Sequence, residues 1–535
     1  MQKTVLQMTH TLTETPIPMG RKLIFDDDPN HAPAWETPLP PLPVEKPWIQ
    51  LPGEGRLVSA FAQDLGGQLA PHGLYRWSER VLVEDRATHQ STILDAPRFV
   101  TFVEDYVQCA KHPAPAEGEE DKRVVTSMRV GDAKLVLASD RFLTQLQTVD
   151  QLNPIRLPVL ASASELRLLP EGVDEQTRIL TARRSLPYRL DLPIDKARAL
   201  LDGLLAEFPF ADAPYAKAVQ LAAMLTVYGL DLLSPHCLLP AFAYTANNPG
   251  AGKGLLVQLA VLPVFGVLPT MPPPTSEADM AKLLLAGARN HSRVLLLDNV
   301  DQMLQSRALE SFITASHYSG RLLGQTQQVT YPKKTAVFIT GNHLQMRADL
   351  RRRTLAVECF QPEARAEDRA ITNPLDETAI LGRRSAILAA LYALVRHWND
   401  DGRRAPSRVQ PGLGEWSQVI GGIVEHAGYG CPLPPPTAPT LDPVIEGMER
   451  LVALLADRGA AATFRDVVRV CRAHGLFEHC LPLDRELRDG EKRSFSALLK
   501  RYHGIRFRGG ISFQLQGHGH ARRYLATREV VATPA

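Results

Sequence analysis

The stretch from Leu239 to Gln258 places the strongest constraint on this chain. It reads LPAFAYTANNPGAGKGLLVQ: an apolar run, a glycine-rich turn, a lysine and a second apolar run. This order predicts a buried strand, a tight loop and a helix. Small loop residues let backbone N–H groups face phosphate oxygens, and the lysine reaches the outer phosphates. The predicted phosphate-binding residues are Asn248, Pro249, Gly250, Ala251, Gly252, Lys253 and Gly254.

Two positions differ from the usual G-x-x-x-x-G-K-[ST] pattern. Asn247 replaces the first glycine, which is a mild change because asparagine tolerates positive φ. Gly254 replaces the hydroxyl that normally holds Mg²⁺, so the metal would depend on water, the nucleotide and an acid elsewhere. The alternative interpretation is a glycine-rich turn between strand and helix that binds no ligand.

Length and composition limit the class of protein. A chain of 535 residues has room for about three domains. The net charge of +2 requires any nucleic-acid surface to be local. None of the six cysteines forms a C-x-x-C pair, which argues against a zinc ribbon and a disulfide framework. With no signal peptide and no long apolar run, we expect a protein of the bacterial cytoplasm without a membrane contact.

The regions before the loop show no catalytic pattern. Residues 1–50 are dense in proline and predict a flexible segment, with an SH3-like ligand as the alternative. Residues 55–190 predict a small mixed α/β domain with helices over Arg56–Ala70 and Arg98–Cys109 and a hairpin over Tyr75–Leu94. The task of this domain stays open.

Two later strands end in polar residues. RVLLLDNVD reads as a buried parallel strand that delivers Asp298 to the carboxyl edge of its sheet, where it would hold Mg²⁺ through water. Asn299 follows, and an amide can orient a water but cannot accept its proton, so Asp301 is an alternative base. The strand Thr335–Thr340 places Asn342 beside the terminal phosphate or the attacking water.

An arginine cluster follows in RADLRRRT. Three adjacent arginines on one predicted helical turn suit either an internal ion pair or the nucleotide of a neighbouring subunit. An arginine that reaches such a nucleotide stabilises the charge that develops on a transferred phosphoryl group.

The loop, the DN-ending strand, the T-G-N strand and the D-L-x-R-R element, in this order, resemble the AAA+ helicase domain of phage, plasmid and integrative-element primase-helicases, close to the superfamily 3 helicases. The resemblance covers about residues 190–430. It implies an AAA+ ATPase domain with a helical lid over residues 191–430, with ATP and Mg²⁺ as cofactors. Many relatives also carry Lys-Gly and Asp-Asn at the positions of Gly254 and Asn299.

The resemblance also assigns roles. Gly252 and Lys253 would bind phosphates, Asp298 the metal, and Asn342 would be the first sensor. Arg352 and Arg353 match the paired arginines of the family, and Arg353 is the preferred finger acting across a subunit boundary. Such a finger implies a homo-oligomeric ring, expected to be a hexamer.

The central region also contains a predicted β-hairpin, and the region before it lacks the residues of a primase. Arg321–Tyr331 predicts a β-hairpin with glutamines at its tip, followed by Lys333 and Lys334, which we expect to contact DNA in the pore of the ring. A purely structural hairpin is the alternative. Residues 55–190 lack a zinc-binding cysteine set and spaced acid pairs, so priming would come from a separate primase.

The C-terminal segment, residues 441–530, predicts a winged-helix domain. Val444–Leu455, Phe464–Ala473 and Lys492–Tyr502 read as helices, and strands follow over Ile505–Leu515 and Arg522–Thr527. Phosphate contacts are expected from Lys492, Arg493, Lys500, Arg501, Arg506, Arg508, Arg522 and Arg523.

Other residues of this segment bear on its role. Ser494 and Ser496 are candidates for base contacts. The alternative is a winged helix that serves protein contact or ring stability. His503, His518 and His520 are interpreted as wing residues, because no cysteine or carboxylate lies at ligand spacing.

The sequence therefore predicts an α/β protein with a P-loop AAA+ ATPase core, an N-terminal mixed α/β domain and a C-terminal winged helix. The predicted function is that of an ATP-dependent DNA helicase or origin-unwinding replication ATPase of a mobile genetic element, translocating on DNA as a ring. One alternative is an ATP-assembled DNA-binding regulator or loader without helicase activity. Another is an inactive assembly scaffold, which only Gly254 and Asn299 suggest.

Overall fold

The computed structural model describes residues 42–53, 55–86, 90–111, 124–161, 165–270, 273–300, 303–321, 327–361, 371–434, 443–477, 481–482, 485–507, 511–517 and 522–528. These residues form a mixed α/β protein, as the sequence predicts. Among them, no helix is long and apolar enough to cross a membrane. Most of the proline-rich segment over residues 1–50 lies outside the described residues.

The N-terminal region consists of helices packed with several small sheets. Its helices are α1 (Val58–Leu69), α2 (Ala96–Tyr106), α3 (Val130–Leu137) and α4 (Asp140–Leu143). Its strands are β1 (Trp48–Gln50), β2 (Leu74–Trp77), β3 (Arg80–Glu84), β4 (Ser91–Ile93), β5 (Gln108–Lys111), β6 (Val124–Val125), β7 (Gln147–Thr148), β8 (Gln151–Asn153), β9 (Pro158–Leu160), β10 (Leu166–Leu168), β11 (Gly172–Asp174) and β12 (Ile179–Thr181).

The predicted helix and hairpin at the start of this region are present as α1 and β2–β4. The helix predicted over Arg98–Cys109 is wrong at both ends. Asp95 accepts a hydrogen bond from the Arg98 N–H, so α2 begins at Ala96. It ends at Tyr106 because the chain becomes extended at Val107 and continues as β5, which pairs with β1.

The central region is built on a four-stranded parallel sheet in the order β14-β17-β13-β18. Its strands are β13 (Ala241–Ala246), β14 (Val294–Leu297), β17 (Ala336–Asn342) and β18 (Thr354–Cys359). A separate hairpin is formed by β15 (His317–Arg321) and β16 (Gln328–Pro332). The helices are α5 (Ile194–Leu205), α6 (Ala213–Tyr228), α7 (Lys253–Phe265), α8 (Glu277–Arg289), α9 (Arg307–Thr314), α10 (Ala348–Arg351), α11 (Glu377–Gly382), α12 (Arg384–Asp400), α13 (Gly414–Trp416) and α14 (Gly422–His426).

Both faces of this sheet are buried. Phe242 and Tyr244 of β13 belong to an apolar core that includes residues of α6, α7 and α12. Ala241 and Ala243 belong to a second core, which includes residues of α8 and α9. Since successive side chains of a strand alternate between faces, these two cores place helices on both sides of the sheet. The polar residues that end its strands are therefore held by a rigid, doubly covered sheet.

The C-terminal region contains three helices and an antiparallel sheet. The helices are α15 (Pro443–Arg458), α16 (Phe464–Ala473) and α17 (Asp489–Arg501), and the sheet has the order β19 (Arg506–Phe507), β20 (Ile511–Gln516), β21 (Arg523–Arg528). The third helix starts before its predicted position, because the Glu491 carboxylate accepts a hydrogen bond from the Arg488 N–H and caps the first turn. His503 accepts a hydrogen bond from the Leu515 N–H, which gives it a structural role, while His518 and His520 lie outside the described residues.

Candidate nucleotide-binding site

The candidate site lies where the parallel strands of the central sheet end. β13 leads into the loop 247–252, β14 into Asp298, and β17 ends at Asn342. Ala246 is in register with Asn342 on one side and with Cys359 on the other. The carboxyl ends of neighbouring strands therefore bring the predicted residues to one edge, which is where open α/β sheets bind their ligands.

The backbone of the loop has the conformation that a phosphate-binding turn requires at two glycines. Gly250 and Gly252 have φ values of 82° and 91°, in the left-handed region that favours glycine. Lys253 is the first residue of α7, and no side chain of the described residues caps that helix. The backbone N–H groups of its first turn are thus left for an anion. Added to the Lys253 ammonium group, they form a donor set suited to a nucleoside triphosphate.

Two neighbours fix the shape of this loop. A Cβ atom added at Gly252 would lie 2.9 Å from the Phe208 ring, so this ring packs where only glycine fits. Asn247 does not have the positive φ that the sequence suggested. Instead its side chain donates to the Gln361 carbonyl at 2.7 Å and accepts from the Gln361 N–H at 2.8 Å. This pair ties the loop to the end of β18.

Lys253 is already oriented toward the sheet edge. Its Nζ donates a hydrogen bond to Oδ1 of Asn342 at 2.6 Å, so the structure brings these two predicted residues together. Partial burial lowers the pKa of Lys253 below that of a free lysine, against the opposing effects of neighbouring Cys359 and Asp298. Lys253, Asn342 and Asp298 thus form one electrostatic group.

Asp298 is held by a residue that the sequence analysis did not identify. Thr340, which is 3% exposed, donates from Oγ1 to Oδ1 of Asp298 at 2.6 Å and accepts from the Asn299 N–H at 2.9 Å. Asn299 has a φ of 57°, so the chain turns sharply directly after Asp298. A Cβ atom at Gly341 would lie 2.3 Å from the Val300 carbonyl oxygen. In the sequence, Thr340 and Gly341 directly precede Asn342. These two residues were the signals that could have identified this support for Asp298.

The metal and base assignments remain predictions. The Asp298 carboxylate, which directly follows β14, could hold Mg²⁺ through water, and this mode suits an ion that keeps several of its waters. A Cβ atom at Gly254 would meet nothing within 4 Å, so the missing hydroxyl reflects the residue type and not a lack of space. The alternative base, Asp301, lies outside the described residues.

The paired arginines lie at the opposite edge of the sheet. Only Arg351 of the three belongs to α10, so the prediction of three arginines on one helical turn is wrong. Arg352 is 66% exposed and 3.8 Å from Asp349. The Arg353 carbonyl accepts a hydrogen bond from the N–H of Ala241, at the amino end of β13. The six residues of β13 separate the two edges by roughly 20 Å, so Arg353 is remote from the loop of its own chain.

Lys333 is buried and Lys334 is half-buried, and the ammonium groups of both contact the protein interior. Lys333 is 6% exposed, and its Nζ lies 4.6 Å from the centre of the Phe312 ring. Lys334 donates to the Leu233 carbonyl at 2.5 Å. Burial lowers the pKa of each lysine to about 8. Their proposed DNA contacts are therefore corrected to structural roles, and residues 322–326 at the hairpin tip lie outside the described residues.

The basic residues of the C-terminal region are largely exposed. On α17, Lys492, Arg493, Ser494, Lys500 and Arg501 are exposed, although Lys492 also pairs with Asp489 at 3.0 Å. Arg522 donates to the hydroxyl of Ser496 at 3.3 Å, which links the chain before β21 to α17. Arg523 is exposed as well. The side chain of Arg506 and all of Arg508 lie outside the described residues.

Comparison with known proteins gives distant likenesses. No protein-family model matches the chain, and no curated protein does. Among solved structures, the apo A form of the NrS-1 C-terminal region aligns with a TM-score of 0.36 and 12% identity, over 82% of this chain and 84% of that one. SCCmec type IV Cch, described as an active helicase, aligns with a TM-score of 0.33 and 10% identity, over 85% and 93%.

Proposed function

We propose that the central region is a P-loop AAA+ ATPase that binds ATP and Mg²⁺ at the carboxyl edge of its parallel sheet. The observation that carries the proposal is the convergence of Lys253, Asn342 and Asp298 beside the uncapped start of α7. A glycine-rich turn that binds no ligand would not require Lys253, Asn342 and Asp298 to meet at the carboxyl edge of the sheet. Hydrolysis of ATP would supply the free energy for mechanical work.

The residues of the chain divide the chemical tasks. The N–H groups of the loop and Lys253 would bind the phosphates, with Lys253 exchanging its bond to Asn342 for a phosphate oxygen. Asp298, fixed by Thr340, would hold Mg²⁺ through water. Asn342 would then be free to orient the attacking water. Asn299 directs its backbone N–H at Thr340 and so shapes the turn after Asp298.

The location of Arg353 supports a shared site. It lies at the amino edge of the sheet, roughly a strand length from the loop of its own chain. An arginine there can stabilise phosphoryl charge only at the site of another subunit. We therefore propose a ring, expected to be a hexamer, in which each chain completes the site of its neighbour.

DNA is the proposed substrate of the assembly. Between Gly490 and Arg528 the chain carries nine basic residues and one acid, and the α17 members of this set are exposed. We propose that the C-terminal region is a winged helix that binds DNA through this face. We therefore propose a DNA helicase or origin-unwinding ATPase of a mobile genetic element, which would account for the ATP site, the ring and the basic C-terminal face. It would act in the bacterial cytoplasm with a separate primase.

One observation keeps the rival function in consideration. Arg321 of β15 is exposed, but Lys333 is buried and Lys334 donates to the Leu233 carbonyl, so the pore contact predicted for these two lysines is not supported. A DNA-binding regulator or loader that uses ATP only to assemble needs no such contact.

Steady-state ATP hydrolysis, with and without single-stranded DNA, separates the two functions. We expect DNA to stimulate turnover by wild-type protein and Arg353→Ala to lose that turnover. An equal mixture of the two should lose more than half of the wild-type rate if the sites of a ring act in a coordinated way, because one defective site then slows its neighbours; independent sites would lose half. Turnover that is indifferent to DNA would favour the regulator or loader. Lys196→Ala, on the exposed side of α5, is the control.

A further inference from the structure

The helices that follow the central sheet bring three possible metal ligands together. Within the part of the chain that the structure describes, His397, Asp401 and His426 form one such group, with all their candidate ligand atoms within 4.8 Å of one another. We propose that this group is a binding site for a divalent transition-metal ion, with Zn²⁺ as the best match. It is separate from the Mg²⁺ assigned to the nucleotide site.

The site arises from two helix ends. His397 lies in the last turn of α12, and Asp401 is the C-cap residue four positions later, so both side chains project from one side of the helix. The Asp401 N–H donates to the His397 carbonyl at 3.2 Å, which fixes this spacing. His426 is the last residue of α14. The backbone therefore places all three residues without a long flexible loop.

The side chains are arranged as a partly assembled ligand set. His426 Nε2 lies 3.0 Å from Oδ2 of Asp401. The His397 and His426 rings stack with centroids 4.5 Å apart and planes 28° apart. No hydrogen bond joins the His397 ring to another described residue, so its ring nitrogens are available. A hydrogen-bonded His–Asp pair alone would not account for a second imidazole held against it.

The donor types select the metal. Two imidazole nitrogens and one carboxylate oxygen suit Zn²⁺, which binds such atoms at about 2.0–2.2 Å, whereas Mg²⁺ and Ca²⁺ prefer all-oxygen sets. Donors in a tetrahedral site lie roughly 3.4 Å apart by that bond length, so a limited side-chain rotation closes the group around an ion. The fourth position would hold water. The His426 side chain is 9% exposed and that of Asp401 40%, which gives an ion a route from solvent.

A bound ion would fasten α12 to α14. α12 contacts α5 and α14, and it also contacts α7, the helix that begins at Lys253. The proposed ion would therefore stabilise α12 and α14, and α7, which follows the nucleotide loop, packs against α12. The readout is metal binding and thermal stability, neither of which requires ATP hydrolysis.

The test uses the full chain, stripped of metal with EDTA and titrated with Co²⁺ or Zn²⁺. We expect one Co²⁺ per chain to give visible d–d absorption that Zn²⁺ displaces, and Zn²⁺ to raise the melting temperature by about 2–4 °C. His397→Gln and His426→Asn should lose both effects; the asparagine can still donate to Asp401. His317→Ala is the control, because His317 stacks on His236 at 5.9 Å in a histidine pair outside the proposed site.

Three results would overturn the proposal. The first is the absence of Co²⁺ absorption in the wild-type protein, and the second is unchanged absorption in both ligand variants. The third is loss of the absorption in the control His317→Ala while the ligand variants keep it. Because circular dichroism of each stripped variant reports its folding, a variant that fails to fold is replaced by Asp401→Asn, which removes one ligand at an exposed position.

Discussion

The Lys253 ammonium group donates a 2.6 Å hydrogen bond to Oδ1 of Asn342, and this bond joins the helix after one strand to the end of the neighbouring strand. Asn342 therefore positions the lysine at the sheet edge. In the proposed mechanism, Lys253 would turn to a phosphate oxygen and the Asn342 amide would be released at the point where an attacking water would lie. One side chain would thus orient first the lysine and then the water.

Replacing Asn342 by alanine should lower turnover more than nucleotide affinity. Loss of one oriented polar group in an active site reduces kcat by about 100-fold or more, whereas the loop and Lys253 still bind the phosphates. We expect the nucleotide Kd to change by less than about tenfold. Single-turnover hydrolysis and equilibrium nucleotide binding measure the two quantities. Asn373→Ala, at an exposed asparagine, is the control, and an unchanged kcat in Asn342→Ala would contradict the assigned role.

Gly252 of the loop and Gly254 of α7 should respond in opposite directions to alanine. At Gly252 the φ of 91° and the Phe208 contact make a Cβ unfavourable, and we expect a loss of at least about 1–2 kcal/mol of unfolding free energy. At Gly254, inside α7 with open space around it, alanine should add about 0.5–1 kcal/mol. Urea unfolding followed by circular dichroism compares them. Equal effects of the two substitutions would show that the loop does not have this conformation.

Much of the central sheet could be predicted from local pattern. The apolar runs that become β13, β14 and β17 are flanked by Gly, Asp or Asn, and this contrast marks strands buried on both faces with polar ends. The α/β class is therefore confirmed. The strand β18 was missed, because it follows directly on an arginine cluster that reads as a helix.

Other features depend on contacts between distant residues. Asn247 was interpreted through its own φ, but its role comes from Gln361, more than a hundred positions away. Lys333 follows a polar hairpin and resembles an exposed basic residue, yet Phe312 and the surrounding core enclose it. The distance of Arg353 from the loop follows from strand register, which a single sequence does not specify.

Burial of Lys333 should make stability depend on pH. Its folded pKa is lowered to about 8 from 10.5, mainly by desolvation, so the unfolded chain binds the extra proton between these values. The contribution of this lysine to stability therefore improves as pH rises from about 8 to 10.5, by up to about 3 kcal/mol. Urea unfolding of wild type and Lys333→Met at pH 7 and pH 10 isolates the effect. A difference between the proteins that stays constant with pH would rule it out.

DNA binding by the C-terminal region should carry a measurable salt dependence. Each phosphate contact contributes about 0.9 to the slope of log K against log salt on duplex DNA. Arg493→Ala and Lys500→Ala, both exposed on α17, should each reduce the slope by about that amount. Arg465→Ala removes the same charge from the exposed side of α16 and should leave the slope unchanged if α17 carries the contacts. Fluorescence anisotropy over a range of salt concentrations provides the slopes, and equal slopes in all variants would argue for a role in protein contact.

The central claim is that the carboxyl edge of the parallel sheet binds ATP with Mg²⁺, and equilibrium binding by isothermal titration calorimetry tests it most directly. Wild-type protein and Lys196→Ala should bind Mg·ATP alike. Lys253→Ala should bind at least about tenfold more weakly, since a charge-assisted hydrogen bond contributes about 1.5–3 kcal/mol. No binding by the wild type, or equal affinity in Lys253→Ala, would contradict the assignment of this site.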